Sequence, residues 1–399
     1  MNTLGSGMVS GKQRKKTNGE KARSYMGLGL LLLVALVVLI YELWPDPGPD
    51  PTSGSSCSGP DITVDGIIGG KIAFMQDDDV ERILKDKYCI TANTFKRVGS
   101  IDMIPKCAEP LDYCWPSSQT AGQEIAERLG SSSVRSEIIF NSPIVMYTWA
   151  PIADALIAQG IVVKSGDTHY LNDFSRLVEM IEADIHWSDI GLPQLHGEVS
   201  IFTSNPTQSN TGHSFAGFLA NTLNGAQVVD ETSVETVLPQ IVSFFAEMGL
   251  LQSTTTQLFE QFLTLGMGGA PMVVAYESNL IEYALANTDA TTQQFLRDNI
   301  RTLYPRPTVW SSQPLIALTP NGERMMTALR DPDIQRIGWE RHGFRPAVPT
   351  VFVDVTKVNL SGVPPTIDSV IQMPNPATMR RIIEALLTVA TRRDTVTLS

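Results

Sequence analysis

The chain has 399 residues, of which 43% are apolar and 18% charged, and a net charge of −12. That is enough apolar material for one large domain or two ordinary ones; six Trp, nine Tyr and fourteen Phe exclude a wholly disordered chain. An acidic balance with no basic stripe beyond the N-terminus excludes a nucleic-acid surface.

Residues 12–23, KQRKKTNGEKAR, carry six basic side chains and one acid, Glu20. MGLGLLLLVALVVLIYELW follows over 26–44, with no charge before Glu42. Nineteen residues at ~1.5 Å each span roughly 28 Å, close to the hydrocarbon thickness of a bilayer. A cleaved signal peptide has a shorter apolar run of ~7–15 residues and a small-x-small site, whereas this run ends in YELWPDPGPDP. The expectation is a basic cytoplasmic tail over 1–25, one transmembrane anchor over 26–44, and everything later outside the cytoplasm. PDPGPDPTSGSSCSGP, 45–60, cannot bury apolar surface and reads as a semi-stiff linker. Cys57, Cys89, Cys107 and Cys114 all follow the anchor. An oxidising compartment allows up to two disulfides among them, in three possible pairings. Their spacing matches no C-x-x-C zinc pattern.

The globular part is expected from Asp61 onward. KIAFMQ reads as a strand, and DDDVERILKDKY as a helix with acids at its start. ITANTFKRV and LDYCWP read as strands, and SSQTAGQEIAERLG as a helix closed by Gly130. SEIIFNSPIVMYTW is β-rich and PIADALIAQG a short helix opened by Pro151. DFSRLVEMIE is helical, and VSIFTSN reads as a strand. SVETVLPQIVSFFAEMGL and TTTQLFEQFLTLG are helices. APMVVAYESNLIEYAL passes from strand to helix, TVWSSQPLIAL is extended, and GERMMTALRDPDIQRIGWERHG is helical with a break at Pro332. This alternation predicts an α/β fold with mostly parallel sheets.

Four of these stretches, in this order, carry a resemblance: GGKIAFMQDDDVERILKDKY, SPIVMYTWAPIADAL, FTSNPTQSNTGHSFAGFLANTL, and TLYPRPTVWSSQPLIAL followed by DPDIQRIGWERHGFRPA. Over roughly residues 61–350 the chain resembles the type II periplasmic solute-binding proteins, near the molybdate, sulfate and phosphate binders. The resemblance implies two α/β lobes joined by two hinge crossings: lobe 1 from 61–143 and 300–399, lobe 2 from 144–299. It implies a small polar or anionic solute in the cleft between them, no cofactor, and an ABC-type permease as partner. The alternative is an envelope-associated interaction or sensor protein that keeps the fold without transport; the uncleaved anchor motivates it.

Physical chemistry picks out where a ligand would sit. Strand tips that run into helix starts collect unpaired N–H groups at the positive end of a helix dipole. Ser209, Asn210 and Thr211 crowd one such join, either capping the helix or holding a guest. Ser117 and Ser118 occupy a second join, behind Pro116. Ser142 lies at the first crossing with Thr148 and Trp149 beyond it. Tyr276 and Glu277 end another strand, where Glu277 can hold a cationic group or pair with an Arg. Trp310, Ser311 and Ser312 lie in the return crossing. No G-x-S-x-G or H-E-x-x-H is present, and the five histidines are scattered. The expectation is therefore a binding protein, not an enzyme, with no metal site. His213, four residues past Ser209, is the one histidine placed to approach the cleft.

Overall fold

The computed structural model describes residues 57, 59–108, 110–130, 134–248 and 251–397. The expected tail and anchor lie outside them. Among the described residues no helix is long and apolar enough to cross a membrane.

The described residues open with β1 (Ile62–Ile68), the turn helix α1 (Ile72–Met75) and α2 (Asp78–Tyr88). KIAFMQ is thus helical and not the expected strand. Its apolar residues are consecutive, a pattern that periodicity cannot assign, and ITVDGII just before it fills the place in the sheet. Asp77 caps α2 by accepting from the N–H groups of Asp79 and Val80. There follow β2 (Ile90–Arg97), α3 (Ser100–Met103), β3 (Tyr113–Trp115) and α4 (Gln119–Leu129), the last ended by Gly130 in the left-handed conformation.

The long strand β4 (Arg135–Trp149) runs directly into α5 (Ala150–Ala158). Next come β5 (Val162–Ser165), β6 (Thr168–Leu171), α6 (Phe174–Glu182), α7 (Asn210–Leu223), α8 (Val234–Glu247) and α9 (Thr255–Gly269). β7 (Met272–Tyr276), α10 (Glu277–Ala286), α11 (Ala290–Asn299), β8 (Ile300–Pro305) and β9 (Trp310–Ala317) lead back. α12 (Pro320–Leu329), α13 (Pro332–His342), the two-residue β10 (Arg345–Pro346) and α14 (Pro376–Thr397) complete the order. VSIFTSN contributes only an isolated bridge, Phe202 to Val273, and is not a strand.

The strands line up as β2-β1-β3-β9-β4-β8-β6-β5, with β7 and β10 also on β4. β4 belongs to both halves of this array. Arg135–Pro143 pairs with β9, while Ile144–Trp149 pairs with β7 and β8. All of these pairings are antiparallel, and only β1/β2, β1/β3 and β6/β8 are parallel. The expected mostly parallel sheet is corrected: the four pairings of β4 are antiparallel, as are β3/β9 and β5/β6. A chain that crosses as a strand and returns beside itself must run antiparallel there.

Each half has its own core. Val64, Phe74, Trp115, Phe140 and Leu329 are buried together in the first, where Phe74 meets Trp115 and Phe140 edge-on. Tyr147, Trp149, Phe215, Phe244 and Phe262 are buried in the second. β8 pairs with the second part of β4 and with β6. The return therefore lies between β8 and β9, over 306–309, not before residue 300. The C-terminal segment also departs from expectation. Met379, Ile382 and Leu386 on one face of α14 enter the second core, a helical spacing that favours burial on one side. Arg381 on the same helix bonds Glu235 of α8, and Arg380 reaches Glu124 of α4 at 3.6 Å.

The four cysteines pair Cys57–Cys89 and Cys107–Cys114. Among the described residues the one grouping of metal-type ligands, Cys57, Asp61 and Cys89, has its two sulfurs bonded to each other.

A buried ion pair flanks the crossing. Arg345 donates from Nε and Nη2 to Glu277 at 2.6 and 2.7 Å, and the Tyr304 hydroxyl donates to the same carboxylate at 2.8 Å. Arg345 also donates to the carbonyls of Pro364 and Pro365, which pins the segment leading to α14. Removing one partner of such a pair leaves the other charge buried alone. Glu277→Gln should therefore cost about 3–5 kcal/mol in denaturant unfolding, and Glu277→Leu with Arg345→Met together should cost less than either change alone.

Candidate ligand-binding site

Three turns from different parts of the chain meet between the halves. The first follows β1. Lys71 is 1% exposed and donates from Nζ to the Ser117 hydroxyl at 2.7 Å. Its ammonium lies 4.9 Å from the centre of the Trp115 ring. Gly69 makes this approach possible, because a Cβ there would fall 2.4 Å from Ser117 Oγ.

The second turn follows β3. The Ser117 N–H donates to Ser100 Oγ. Its carbonyl accepts from Ser311 Oγ at 2.6 Å and from Asn210 Nδ2 at 2.6 Å. The third turn opens α7. Asn210 Nδ2 also bonds the Tyr276 hydroxyl at 2.6 Å, and Ser214 lies 3.4 Å from that oxygen. Burial pushes the Tyr276 hydroxyl's pKa up, and bonds from Ser214, Thr211, Ser311 and Asn210 oppose that rise. Thr211 shares a hydrogen bond with Thr255 at 2.6 Å. Gly212 packs against the turn before the helix, where a Cβ would meet the Ser204 carbonyl at 2.0 Å.

The structure thus brings Ser117, Asn210, Thr211 and Tyr276 into one polar cluster and adds Lys71, Ser214 and Ser311. Ser209 stands one step back, at the N-cap position of α7 but without a capping bond. It accepts from Ser204 Oγ at 2.7 Å and touches Thr255. The other expected positions lie elsewhere. Ser118 caps α4 through the Ala121 N–H. Ser142 is fully buried on Ser278. Thr148 donates to the Pro271 carbonyl inside the second half. Glu277 is occupied by Arg345 and Tyr304. These four lie outside the cluster. Each is a short polar group whose nearest partner belongs to a different element from the one adjacent in sequence, or to its own helix cap. No local signal marks Lys71, which opens the KIAFMQ run. Only the fold shows it buried.

Ser118 instead borders a cavity of about 150 Å³ with Ile101, Ala121, Glu124, His213, Arg380 and Ile383. Among the described residues His213 Nδ1 is buried there without a partner. Burial pulls the His213 pKa down to about 4, against a smaller opposing contribution from the Pro206 carbonyl. With Nδ1 unpaired, no carboxylate orients this imidazole as a base would require. The folded chain holds His213 neutral, so stability is full above pH ~6.5 and falls as pH drops toward about 4, where the unfolded chain binds the extra proton. The loss is on the order of 3 kcal/mol across that window. Chemical denaturation from pH 7 to 4.5 should show this decline in the wild type and a flatter profile in His213→Gln.

No known protein-family profile and no curated protein matches the chain. Solved structures do match. Iron-bound HitA from Pseudomonas aeruginosa superposes with a TM-score of 0.54 at 11% identity, covering 83% of this chain and 99% of that one. A protein assigned as an extracellular solute-binding protein from Bordetella parapertussis gives 0.53 at 13% identity, over 82% and 98%. Apo FutA2 from Synechocystis PCC6803 gives 0.51 at 13% identity, over 83% and 99%. With its shared strand, paired cores and polar turns meeting between them, the chain has the α/β fold of the two-lobed, type II solute-binding proteins.

Proposed function

We propose that this protein captures a small polar or anionic solute between its two halves, outside the cytoplasm, and is tethered to the membrane through residues 26–44. The observation that carries the reading is the convergence of Lys71, Ser117, Asn210, Tyr276 and Ser311 from both halves onto one spot. Strand tips and helix starts of an open α/β sheet are where such folds bind ligands. Two disulfides suit an oxidising, extracytoplasmic location. A membrane permease of the ABC type is the partner that the resemblance implies.

The iron that HitA holds is not transferred to this chain. The cluster offers hydroxyls, one amide, one phenol and one ammonium, and none of these members is a carboxylate, imidazole or thiolate. Its chemistry suits oxygen-rich guests.

Capture requires the halves to part, bending at the β4 midpoint and at 306–309. Parting breaks the Asn210 bond to the Ser117 carbonyl and separates Arg380 from Glu124. The first is worth ~1 kcal/mol and the second less than about 1, being partly exposed. Neither prevents opening, and a bound solute can replace the first.

Isothermal titration of the full-length chain against phosphate, sulfate, molybdate, glucose and amino acids is the direct test. At least one class should bind. Asn210→Ala and Tyr276→Phe should each weaken it about tenfold, as expected for one lost hydrogen bond to a ligand, while unfolding stays cooperative. Absence of heat and of thermal shift with every class would refute the reading.

A further inference from the structure

We propose that Lys71 is the specificity-determining residue of the cluster and makes its solute an anion, the ligand's negative charge pairing with the Lys71 ammonium in place of the Ser117 hydroxyl. This rests on the capture reading above and narrows it from polar or anionic solutes to anionic ones.

Four observations lead there. Lys71 is as buried as the core around it, yet among the described residues no carboxylate pairs with it. It holds one hydrogen bond, to a neutral hydroxyl, and a ring face, although an ammonium carries three donors. An ion taken out of water without a counter-charge is strongly disfavoured, and burial accordingly drives the Lys71 pKa well below lysine's ordinary value. A methionine would fill similar space without that penalty, so packing does not explain a lysine here.

The second observation is direction. The aliphatic stem leads the ammonium to Ser117, the same residue whose carbonyl receives Asn210 from the opposite half. The cation therefore stands at the seam between the halves, not in the interior of one of them.

Third, nothing in the cluster cancels it. Among the described residues no carboxylate bonds the Lys71 ammonium, and Glu277, at the tip of β7, is spent on Arg345 and Tyr304. Fourth, the surrounding groups are donors suited to oxygen: the hydroxyls of Ser117, Thr211, Ser214, Ser311 and Tyr276. An anion with several oxygens satisfies a lysine and a ring of hydroxyls together, whereas a neutral sugar leaves the ammonium without a counter-charge. Charge-assisted bonds in such a dry site are among the stronger ones available.

The test compares full-length wild type, Lys71→Met and Lys71→Gln by calorimetry and thermal unfolding. The probes are inorganic phosphate, sulfate and molybdate, with glucose as a neutral control. The expected result is anion binding by the wild type and at least a thirtyfold loss in both variants. In the absence of anion, Lys71→Met should melt at the same temperature as the wild type or higher, because it removes a buried unpaired ammonium. Undiminished anion binding in both variants overturns the proposal. So does misfolding or a large drop in melting temperature of unliganded Lys71→Met, since the lysine would then be structural. Binding of glucose alone refutes the anion assignment but leaves solute capture standing, and failure of the wild type to bind any probe or the wider solute panel removes both.

Discussion

A single strand held in common constrains the whole molecule. β4 runs fifteen residues from one half to the other, about 50 Å at ~3.3 Å per residue. Its first part is zipped to β9 and its second to β7 and β8. The halves can therefore neither slide nor separate freely. The solute capture proposed above leaves bending where pairing changes hands, at 143–144 and in the return over 306–309. Because side chains alternate across a strand, the register of β4 also decides which residues enter each core. Phe140 packs with Trp115 and Tyr147 with Phe259 and Phe262.

Two polar assemblies sit near this crossing, and they are built on opposite principles. Around Glu277 every strong demand is met: two bonds from Arg345, one from Tyr304, and the spare guanidinium donors directed at the Pro364 and Pro365 carbonyls. Since β10 pairs with the first part of β4 and α10 leads off β7, this node ties the halves where they join. A satisfied network of this kind rigidifies. The cluster at Ser117 is incomplete. Among the described residues Lys71 has no paired carboxylate and Asn210 Oδ1 is buried without a partner. Unmet polar demand is costly, and in this cluster it falls on Lys71 and Asn210, where the two halves meet. Residues that break the ordinary rules of burial tend to mark functional places.

The C-terminal helix adds a second contact between the halves. Its apolar face belongs to the second core, while Arg380 points to α4 in the first. Beneath it lies the cavity that holds His213 and Ser118. The Ser118 side of the strand-tip turn thus faces apolar packing, whereas its neighbour Ser117 faces the polar cluster. One residue step separates a helix cap from a candidate ligand contact.

The sequence by itself determined many of the elements and their order, but β1, β5, β6, β8, α11 and α14 carry no expectation from it. Hydrophobic period, Asp and Ser caps, Gly130 and the prolines at 151 and 332 are local signals, and local signals suffice for helices such as Gln119–Leu129 and strands such as Trp310–Ala317. It also marked the strand-to-helix joins, so Ser117, Asn210, Thr211 and Tyr276 were legible as candidates. Only the tertiary structure decided which of them meet. Ser117 and Asn210 are 93 residues apart, and no local pattern encodes that contact. Ser118 or Glu277 looks equally suitable until its partner is known. Consecutive apolar residues left KIAFMQ ambiguous between strand and helix, and the place of ITVDGII in the sheet resolved it. Lys71 shows the limit most clearly. Its meaning comes from the lack of a paired carboxylate among the described residues, and the surroundings of a buried charge are set by packing across the whole fold, which the order of residues along the chain does not display.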